Sequence, residues 1–165
     1  MADVHDKKTR SHNMAAIKGK NTKPEIWLRK ELFKRGFRYR LHRKDLPGKP
    51  DIVLRKYRAV IFVHGCFWHG HQGCPLFRIP STRTGFWEEK ISSNRDRDSR
   101  NVAKLQELGW RVLELWECSI TGKLRLNEHT LIRYVSEWIK SSDAKAEISG
   151  FDSSKQQHSD TDNRT

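Results

Sequence analysis

The sequence predicts an α/β domain in which a mixed β-sheet is covered by helices. Amphipathic, alternating and apolar segments follow one another in the order helix, three strands, helix, strand, helix, which is typical of helices packed on such a sheet. The chain has 165 residues, of which 35% are hydrophobic and 32% charged. This length and composition leave room for one domain with a modest core and exclude two full domains.

The first helix is predicted to begin at Thr22. Thr22 and Glu25 have the spacing of a Thr-x-x-Glu capping box, and Gly36 provides a C-terminal stop. Glu25, Leu28 and Leu32 are spaced i, i+3, i+7 and therefore share one face of the helix. An acidic side chain thus points to the same side as core residues, either as a capping group or as part of a site.

Three strands are predicted to follow this helix. Phe37, Tyr39 and Leu41 alternate with basic residues, which indicates a strand with one buried face. After a Pro-Gly loop, residues 51–54 and 59–63 form apolar runs that predict a hairpin whose second strand is central. Asp51 is the first residue of that hairpin.

The second half of the domain is predicted from caps and apolar stripes. Residues 64–84 are irregular and too long for a simple connection, so they form a candidate functional loop. Thr84 is expected to cap a charged helix that reaches Gly109, and residues 110–116 are expected to form a further strand. Asn127 is expected to cap a last helix, whose buried stripe is Leu131, Val135 and Trp138.

The positive charge is concentrated in the predicted domain. The net charge is +13, although residues 141–165 carry 3 basic and 5 acidic side chains. An excess of this size favours a polyanionic partner, in the first place nucleic acid. We expect an N-terminal arm at residues 1–20, a folded domain at 21–140 and a disordered tail at 141–165.

The sequence offers no membrane-spanning or secretory segment. No apolar run approaches the roughly 18 to 20 residues of a membrane span, and the N-terminus lacks the apolar stretch of a signal peptide. We therefore expect a cytoplasmic protein without membrane contact. In that compartment Cys66, Cys74 and Cys118 are better explained by metal ligation or burial than by a disulfide.

Asp51 is the first candidate for chemistry. Enzymes that cleave phosphodiesters with divalent cations place carboxylates on neighbouring strands, because Mg²⁺ prefers oxygen ligands beside the scissile phosphate. Asp51 opens one strand of the hairpin, and the other strand is followed by His64. The alternative is that Asp51 only follows a turn and binds local backbone.

The loop from His64 to Cys74 contains three histidines and two cysteines. Imidazole and thiolate are ligands that Zn²⁺ prefers, and a structural zinc site closes with four of them. His71 and Cys74 are spaced to bind one ion, Cys118 can supply a third ligand, and an aspartate can supply a fourth. Cys66 is interpreted as a buried non-ligand. The alternative is a loop of solvated histidines and buried thiols.

If His71 binds zinc, His64 and His69 remain for other roles. A histidine can accept a proton from water or donate a hydrogen bond to phosphate near neutral pH. Either role fits phosphodiester cleavage, and the alternative is a pair of ordinary loop histidines.

Aromatic residues are interleaved with cations on and after this loop. Phe67 and Trp68 are adjacent, and Phe86 and Trp87 follow Thr84 among arginines and lysines. Such a surface can wedge between bases while the cations hold phosphates. For Trp68 the alternative is burial in the core.

Several ordered sequence blocks resemble one family over about residues 1 to 140. The blocks are Asp3-Val-His-Asp6, Pro47-Gly-Lys-Pro-Asp51, Val60-Ile-Phe-Val-His-Gly-Cys-Phe-Trp-His69, Thr82-Arg-Thr-Gly-Phe-Trp87, Leu105-Gln-Glu-Leu-Gly-Trp-Arg-Val-Leu113 and Trp116-Glu-Cys118. Together they resemble the very-short-patch repair (Vsr) mismatch endonucleases. The resemblance implies a type II restriction endonuclease-like fold, with a central mixed β-sheet flanked by helices and a zinc-stabilised loop.

The resemblance also implies an activity and a partner. It implies Mg²⁺-dependent, strand-specific nicking on the 5′ side of the thymine in a T·G mismatch that arises when 5-methylcytosine deaminates. This nick would initiate very-short-patch repair and would link the protein functionally to a DNA cytosine methyltransferase. Residues 21–140 would be the endonuclease domain, acting as a monomer at the nucleoid, and residues 1–20 would contact DNA.

Site residues follow from the same resemblance. Asp51 would bind the catalytic Mg²⁺ together with the backbone carbonyl of Val63. His69 would be the general base, linked to Glu25, and His64 would contact the phosphate. The implied zinc ligands are His71, Cys74, Asp98 and Cys118. The implied intercalating residues are Phe67, Trp68, Trp87 and, from the arm, Met14.

A rival function of a different class is a non-catalytic, zinc-stabilised DNA-binding module. In that interpretation Asp51, His64 and His69 are structural, and the basic surface alone binds DNA. A ribonuclease of the same fold is a further alternative.

Overall fold

The computed structural model describes residues 20–150. The expected arm with Met14, and residues 151–165 of the expected tail, lie outside the described residues. The described chain forms an α/β structure with a mixed sheet and three α-helices, so the predicted fold class is confirmed.

The first helix, α1, spans Lys23–Lys34 and begins as predicted. The side chain of Thr22 accepts a hydrogen bond from the Glu25 N–H at 3.4 Å. The reciprocal bond of the cap is displaced by one residue, because Glu25 Oε2 accepts from the N–H of Asn21 at 3.0 Å. Gly36 takes a φ of +86°, a left-handed conformation that glycine adopts without strain and that ends the helix.

The sheet contains five strands in the order of the sequence. These are β1 (Arg40–Leu41), β2 (Ile52–Leu54), β3 (Ala59–His64), β4 (Arg111–Trp116) and β5 (Lys145–Ile148). Strands β1, β2 and β3 are antiparallel neighbours, whereas β3–β4 and β4–β5 are parallel pairs. The predicted hairpin with a central second strand is therefore confirmed, and the strand expected around Phe37 to Leu41 is reduced to two residues.

Two further helices cover the sheet. Helix α2 spans Thr84–Glu107 without interruption, and helix α3 spans Glu128–Lys140. Asn127 caps α3 as predicted, since its side chain accepts from His129 N–H at 3.0 Å. Thr84 does not cap α2; its hydroxyl instead donates to the carbonyls of Pro80 and Ser81.

Strand alternation separates two core layers, one on each face of the sheet. On one face, Ile52, Leu54 and Ile61 pack with apolar residues of α1 and α3. On the other face, Val53 and Val60 pack with the apolar side of α2. The sheet is thus the middle layer of three. The C-terminal end of β3 and the turn that precedes β2 both lie at the candidate site described below.

The segment expected to be a disordered tail begins with a strand. Residues Lys145–Ile148 pair in parallel with β4, so the expected boundary at residue 141 is wrong. Ala146 and Ile148 pack against the core formed with α3, which explains why this short polar segment joins the sheet. Within residues 20–150, no helix has the length and apolar character needed to cross a membrane.

Candidate active site and metal centre

Asp51 lies at the turn into β2, beside the end of β3. Its Oδ2 accepts a hydrogen bond of 2.7 Å from the backbone N–H of Val63. Burial raises the pKa of the Asp51 carboxyl to about 7, against the lowering effect of the Val63 N–H, and the nearby charge of Glu25 adds to the rise. Asp51 is therefore a partly buried acid whose ionised form a neighbouring cation would favour.

Glu25 and His42 lie next to Asp51, and these three residues are called the acidic corner below. Glu25 is buried in the first turn of α1. The His42 ring lies between the two carboxylates, with Nε2 3.5 Å from Glu25 Oε2 and Nδ1 3.7 Å from Asp51 Oδ1. The three side chains bring their donor atoms within 4.8 Å of one another, which is close enough to hold a metal ion. Sequence analysis missed His42, because a single histidine next to a short strand gives no distinctive signal.

His64 and His69 form a second cluster with Asp98. Their rings are 4.1 Å apart between centroids, and His69 Nδ1 lies 2.6 Å from Asp98 Oδ2. Burial lowers the pKa of His64, which favours its neutral form. His64 also has a carboxylate neighbour, since its Nε2 is 3.9 Å from Glu114 Oε1. Glu114 interrupts the apolar run from Val112 to Trp116 in β4, and this signal could have identified it from the sequence.

Four of the chain's Cys and His residues form a separate cluster, called the thiol cluster below, that could hold a metal ion. Cys66, His71, Cys74 and Cys118 place one ligand atom each within 4.8 Å of one another. All three cysteines are buried and free of disulfides. The His71 ring stacks on Trp116 at 4.0 Å between centroids, which fixes the orientation of the imidazole.

The composition of this cluster corrects two expectations. Asp98 is not with the thiols, because its place in α2 directs its carboxylate to His69. Cys66 is not a bystander, because the turn after β3 folds it back against the loop, where its carbonyl accepts the His71 N–H at 2.9 Å. Counting spacings along the chain could not show either contact, since one depends on the fold of the loop and the other on how the loop packs on α2.

Three of the predicted intercalating aromatics form one cluster. Phe67, Trp68 and Trp87 are partly buried, and their ring centroids lie 5.1 to 5.9 Å apart. Phe86 continues the cluster as an exposed ring 5.2 Å from Trp87. The three aromatics that were predicted to intercalate are therefore adjacent in space, while Met14 lies outside the described residues.

One cavity of about 1200 Å³ joins these groups. Asp51, Glu25, Val63, His64 and His69 all line it. Its rim carries the basic side chains of Lys20, Lys44, Lys49 and Arg97, and Trp68 of the aromatic cluster also reaches it. Acids and imidazoles within a rim of cations suit the hydrolysis of a phosphodiester.

Comparison with known proteins supports this chemistry. The sequence profile of the DNA mismatch endonuclease Vsr family matches residues 2–75. The chain is 51% identical over 148 residues to the DNA mismatch endonuclease Vsr of Escherichia coli, covering 90% of this chain and 94% of that protein. The chain belongs to the Vsr family of DNA mismatch endonucleases.

Type II nicking enzymes are also similar to this Vsr family member. It is 45% identical over 139 residues to V.NmeAIP of Neisseria meningitidis, covering 83% of this chain and 99% of that enzyme. It is 48% identical over 121 residues to V.XorIIP of Xanthomonas oryzae, covering 73% and 88% respectively. Membership of the Vsr family confirms the resemblance, makes the protein a DNA-cleaving hydrolase with DNA as its substrate, and disfavours the non-catalytic alternative.

Proposed function

We propose that the protein nicks duplex DNA on the 5′ side of the thymine in T·G mismatches left by deamination of 5-methylcytosine, and so initiates very-short-patch repair. The observation that carries the proposal is the single cavity that holds Asp51, Glu25 and the hydrogen-bonded His69–Asp98 pair within a rim of cations. The names of the relatives, one a mismatch endonuclease and others nicking enzymes, support both parts of the reaction.

Residues of the acidic corner fit a catalytic Mg²⁺ ion. Glu25 is buried and Asp51 is partly buried, and Asp51 has a pKa of about 7 because desolvation and the charge of Glu25 oppose its ionisation. We propose that Asp51 and the backbone carbonyl of Val63 would bind the ion, and that Glu25 would lie next to it. When bound there, Mg²⁺ supplies a counter-charge for the phosphate and activates water.

His69 is proposed to accept the proton from the attacking water. Its Nδ1–H donates to Asp98, so the opposite nitrogen, Nε2, is free to take the proton. Asp98 orients the ring and stabilises the imidazolium that forms. Glu25 was expected to be linked to His69, but the hydrogen bond of His69 in the structure is to Asp98. His64, whose pKa burial lowers, is proposed to donate a hydrogen bond to the phosphate.

The thiol cluster is proposed to be a structural zinc site with the ligands Cys66, His71, Cys74 and Cys118. Four protein donors leave no open position for a substrate, which is the arrangement of a structural ion. The N–H of Gly150 donates to Cys118 Sγ at 3.3 Å and supplies outer-shell support. Such an ion would hold the glycine-rich loop that carries Trp68 and His69.

Mismatch selection is proposed to come from the cluster of Phe67, Trp68 and Trp87. Opening a mismatched step costs less than opening a paired one, so a protein that inserts rings between bases favours the damaged site. Met14 is proposed to enter from the opposite groove. We also propose that the protein acts as a monomer in the cytoplasm, at the nucleoid, in functional partnership with a DNA cytosine methyltransferase.

Cleavage of end-labelled duplexes tests this function. A duplex with one T·G pair should be cut in the thymine strand only when Mg²⁺ is present, and Asp51→Asn should abolish the cut. The matched control is Asp96→Asn, since Asp96 is an exposed acid of α2. Equal cutting of a fully paired duplex would refute the mismatch specificity, and cutting of an RNA duplex instead would favour the ribonuclease alternative.

A further inference from the structure

His42 occupies a place in the acidic corner that the proposed mechanism does not use. Its ring lies between Glu25 and Asp51, 3.5 Å from one carboxylate and 3.7 Å from the other. With them it forms a set of one nitrogen and two oxygen donors within 4.8 Å of one another. The ring faces the same cavity as His64 and His69.

One nitrogen of this ring is available for a ligand. His42 Nε2 is buried, and among the residues that the structure describes it has no hydrogen-bond partner. Its contact with Glu25 at 3.5 Å is an ionic approach without hydrogen-bond geometry. A buried polar atom without a partner costs free energy. Its position beside two carboxylates therefore indicates a site for a ligand that binds all three groups.

The backbone at His42 holds the ring in this place. Its φ is +48°, in the left-handed region that non-glycine residues rarely adopt. Its N–H donates to the Asp51 carbonyl at 3.3 Å and extends the pairing of Leu41 with Ile52. Strain of this kind is kept where it positions a side chain for function.

We propose that His42 is a third side-chain donor to the catalytic cation, beside Asp51 and Glu25. This inference rests on the proposed metal-dependent cleavage. Mg²⁺ prefers an all-oxygen shell, whereas first-row divalent ions accept imidazole nitrogen more readily. A nitrogen donor in this corner therefore gives the site a preference for ions such as Mn²⁺ over Mg²⁺.

Binding of Mn²⁺ to the zinc-loaded, full-length protein without DNA tests the proposal. The dissociation constant is obtained from the signal of free Mn²⁺ in electron paramagnetic resonance, and pulsed measurements detect nitrogen bound directly to the ion. The variant is His42→Asn, because asparagine tolerates left-handed backbone. The matched control is His129→Asn on α3, and Asp51→Asn locates the binding event.

We expect His42→Asn to weaken Mn²⁺ binding about tenfold and to remove the signal of bound nitrogen. Mg²⁺ binding, measured by competition, should change much less, and His129→Asn should behave as the wild type. Unchanged Mn²⁺ affinity would overturn the proposal. A nitrogen signal that survives in His42→Asn would also overturn it, since the nitrogen would then belong to His64 or His69.

A second variant tests whether the loss of Mn²⁺ affinity comes from the missing imidazole. Measuring binding without DNA separates this result from the nicking activity. His42→Gln removes the imidazole but retains a longer polar side chain, and we expect it to lose Mn²⁺ affinity to the same extent. Thermal denaturation shows that each variant is folded at the assay temperature. Failure of the protein to nick DNA would refute the proposed function alone, whereas unchanged Mn²⁺ binding would refute the role of His42 alone.

Discussion

Asp98 and His69 are hydrogen-bonded at 2.6 Å, although 29 residues separate them and they belong to α2 and the loop after β3. Both side chains are partly buried, with 19% and 23% of their surfaces exposed. The contact fixes which nitrogen of His69 carries a proton. It also removes Asp98 from the thiol cluster, so the same carboxylate decides the composition of two sites.

Asp98→Asn should therefore reduce nicking without releasing metal. An amide at this position no longer stabilises a positively charged His69, and we expect the single-turnover rate to fall about 100-fold. Asp96→Asn, also on α2, is the control. A rate equal to that of the wild type would mean that His69 does not act as the base.

Metal content distinguishes the ligand set found in the structure, which includes Cys66, from the set implied by the sequence blocks, which includes Asp98 instead. Cys66→Ala removes one of the four donors in the structure, so we expect the purified protein to lose most of its zinc and to unfold at a lower temperature. Asp98→Asn should retain one zinc per chain by atomic absorption. The opposite result, zinc loss in Asp98→Asn and none in Cys66→Ala, would restore the ligand set implied by the sequence blocks.

Local signals explain why most of the fold was predictable. Thr22, Asn127 and the apolar stripes of α1 and α3 act within one or two helical turns, so they can be read without knowing the tertiary structure. The hairpin of β2 and β3 is equally local, since the two runs are separated by one short connection. The position of Asp51 at the turn into β2 was predictable because it directly precedes an apolar run.

Long-range contacts explain what the sequence did not reveal. Strand β5 is short and polar. Its formation depends on pairing with β4 and on the packing of Ala146 and Ile148 against the core. The approach of Cys66 to the other thiols depends on the fold of the loop, and the position of Asp98 beside His69 depends on the packing of that loop against α2. Nothing adjacent to His42 in the sequence indicates that two carboxylates, one from α1, approach its ring.

The packing of the loop after β3 against α2 should depend on Gly70. Gly70 has a φ of +60°, and a Cβ there would lie 2.4 Å from Ile91 and 2.5 Å from the Arg95 side chain. The Arg95 guanidinium also donates to the Gly70 carbonyl. We expect Gly70→Ala to destabilise the protein by about 2–3 kcal/mol, because strain and overpacking add.

Gly85 provides the matched control for this substitution. It lies in the first turn of α2, and a Cβ there would meet nothing within 4 Å. Gly85→Ala should therefore leave stability unchanged or raise it by up to about 1 kcal/mol. Denaturant unfolding measures both variants. If Gly70→Ala were no less stable than Gly85→Ala, the close approach of the loop to α2 would be wrong.

Glu114 and Glu147 form an acid pair that gives stability a pH dependence. The two residues are directly opposite in the β4–β5 register. Interaction with Glu114 raises the pKa of Glu147 to about 7, and partial desolvation of the carboxyl adds to the rise. Burial opposes ionisation of Glu114, but its interactions with His64 and Glu147 outweigh this effect and lower its pKa to about 2. The pair therefore holds one proton, on Glu147, between these two values.

The sign of the effect follows from the raised pKa of Glu147. In the unfolded chain its pKa is near the ordinary value of 4.5, so the folded state binds the proton more tightly. The stability that this proton provides is complete below about pH 4.5 and is lost as the pH rises through about 7. Above that range two carboxylates face each other, with Lys145 as the nearby cation that partly offsets their repulsion.

Glu147→Gln should remove this loss, because the amide keeps a donor toward Glu114 and never ionises. We expect its melting temperature to match that of the wild type at about pH 4.5 and to exceed it by about 2 °C at about pH 8, a small gain because Glu147 is exposed to screening solvent. The control is Glu89→Gln, an exposed acid of α2, for which the difference from the wild type should not grow over this range. Calorimetric melting at a series of pH values measures all three proteins. A gain that is constant with pH would show that the pair shares no proton, and that β5 is held by its backbone pairing and the packing of Ile148 alone.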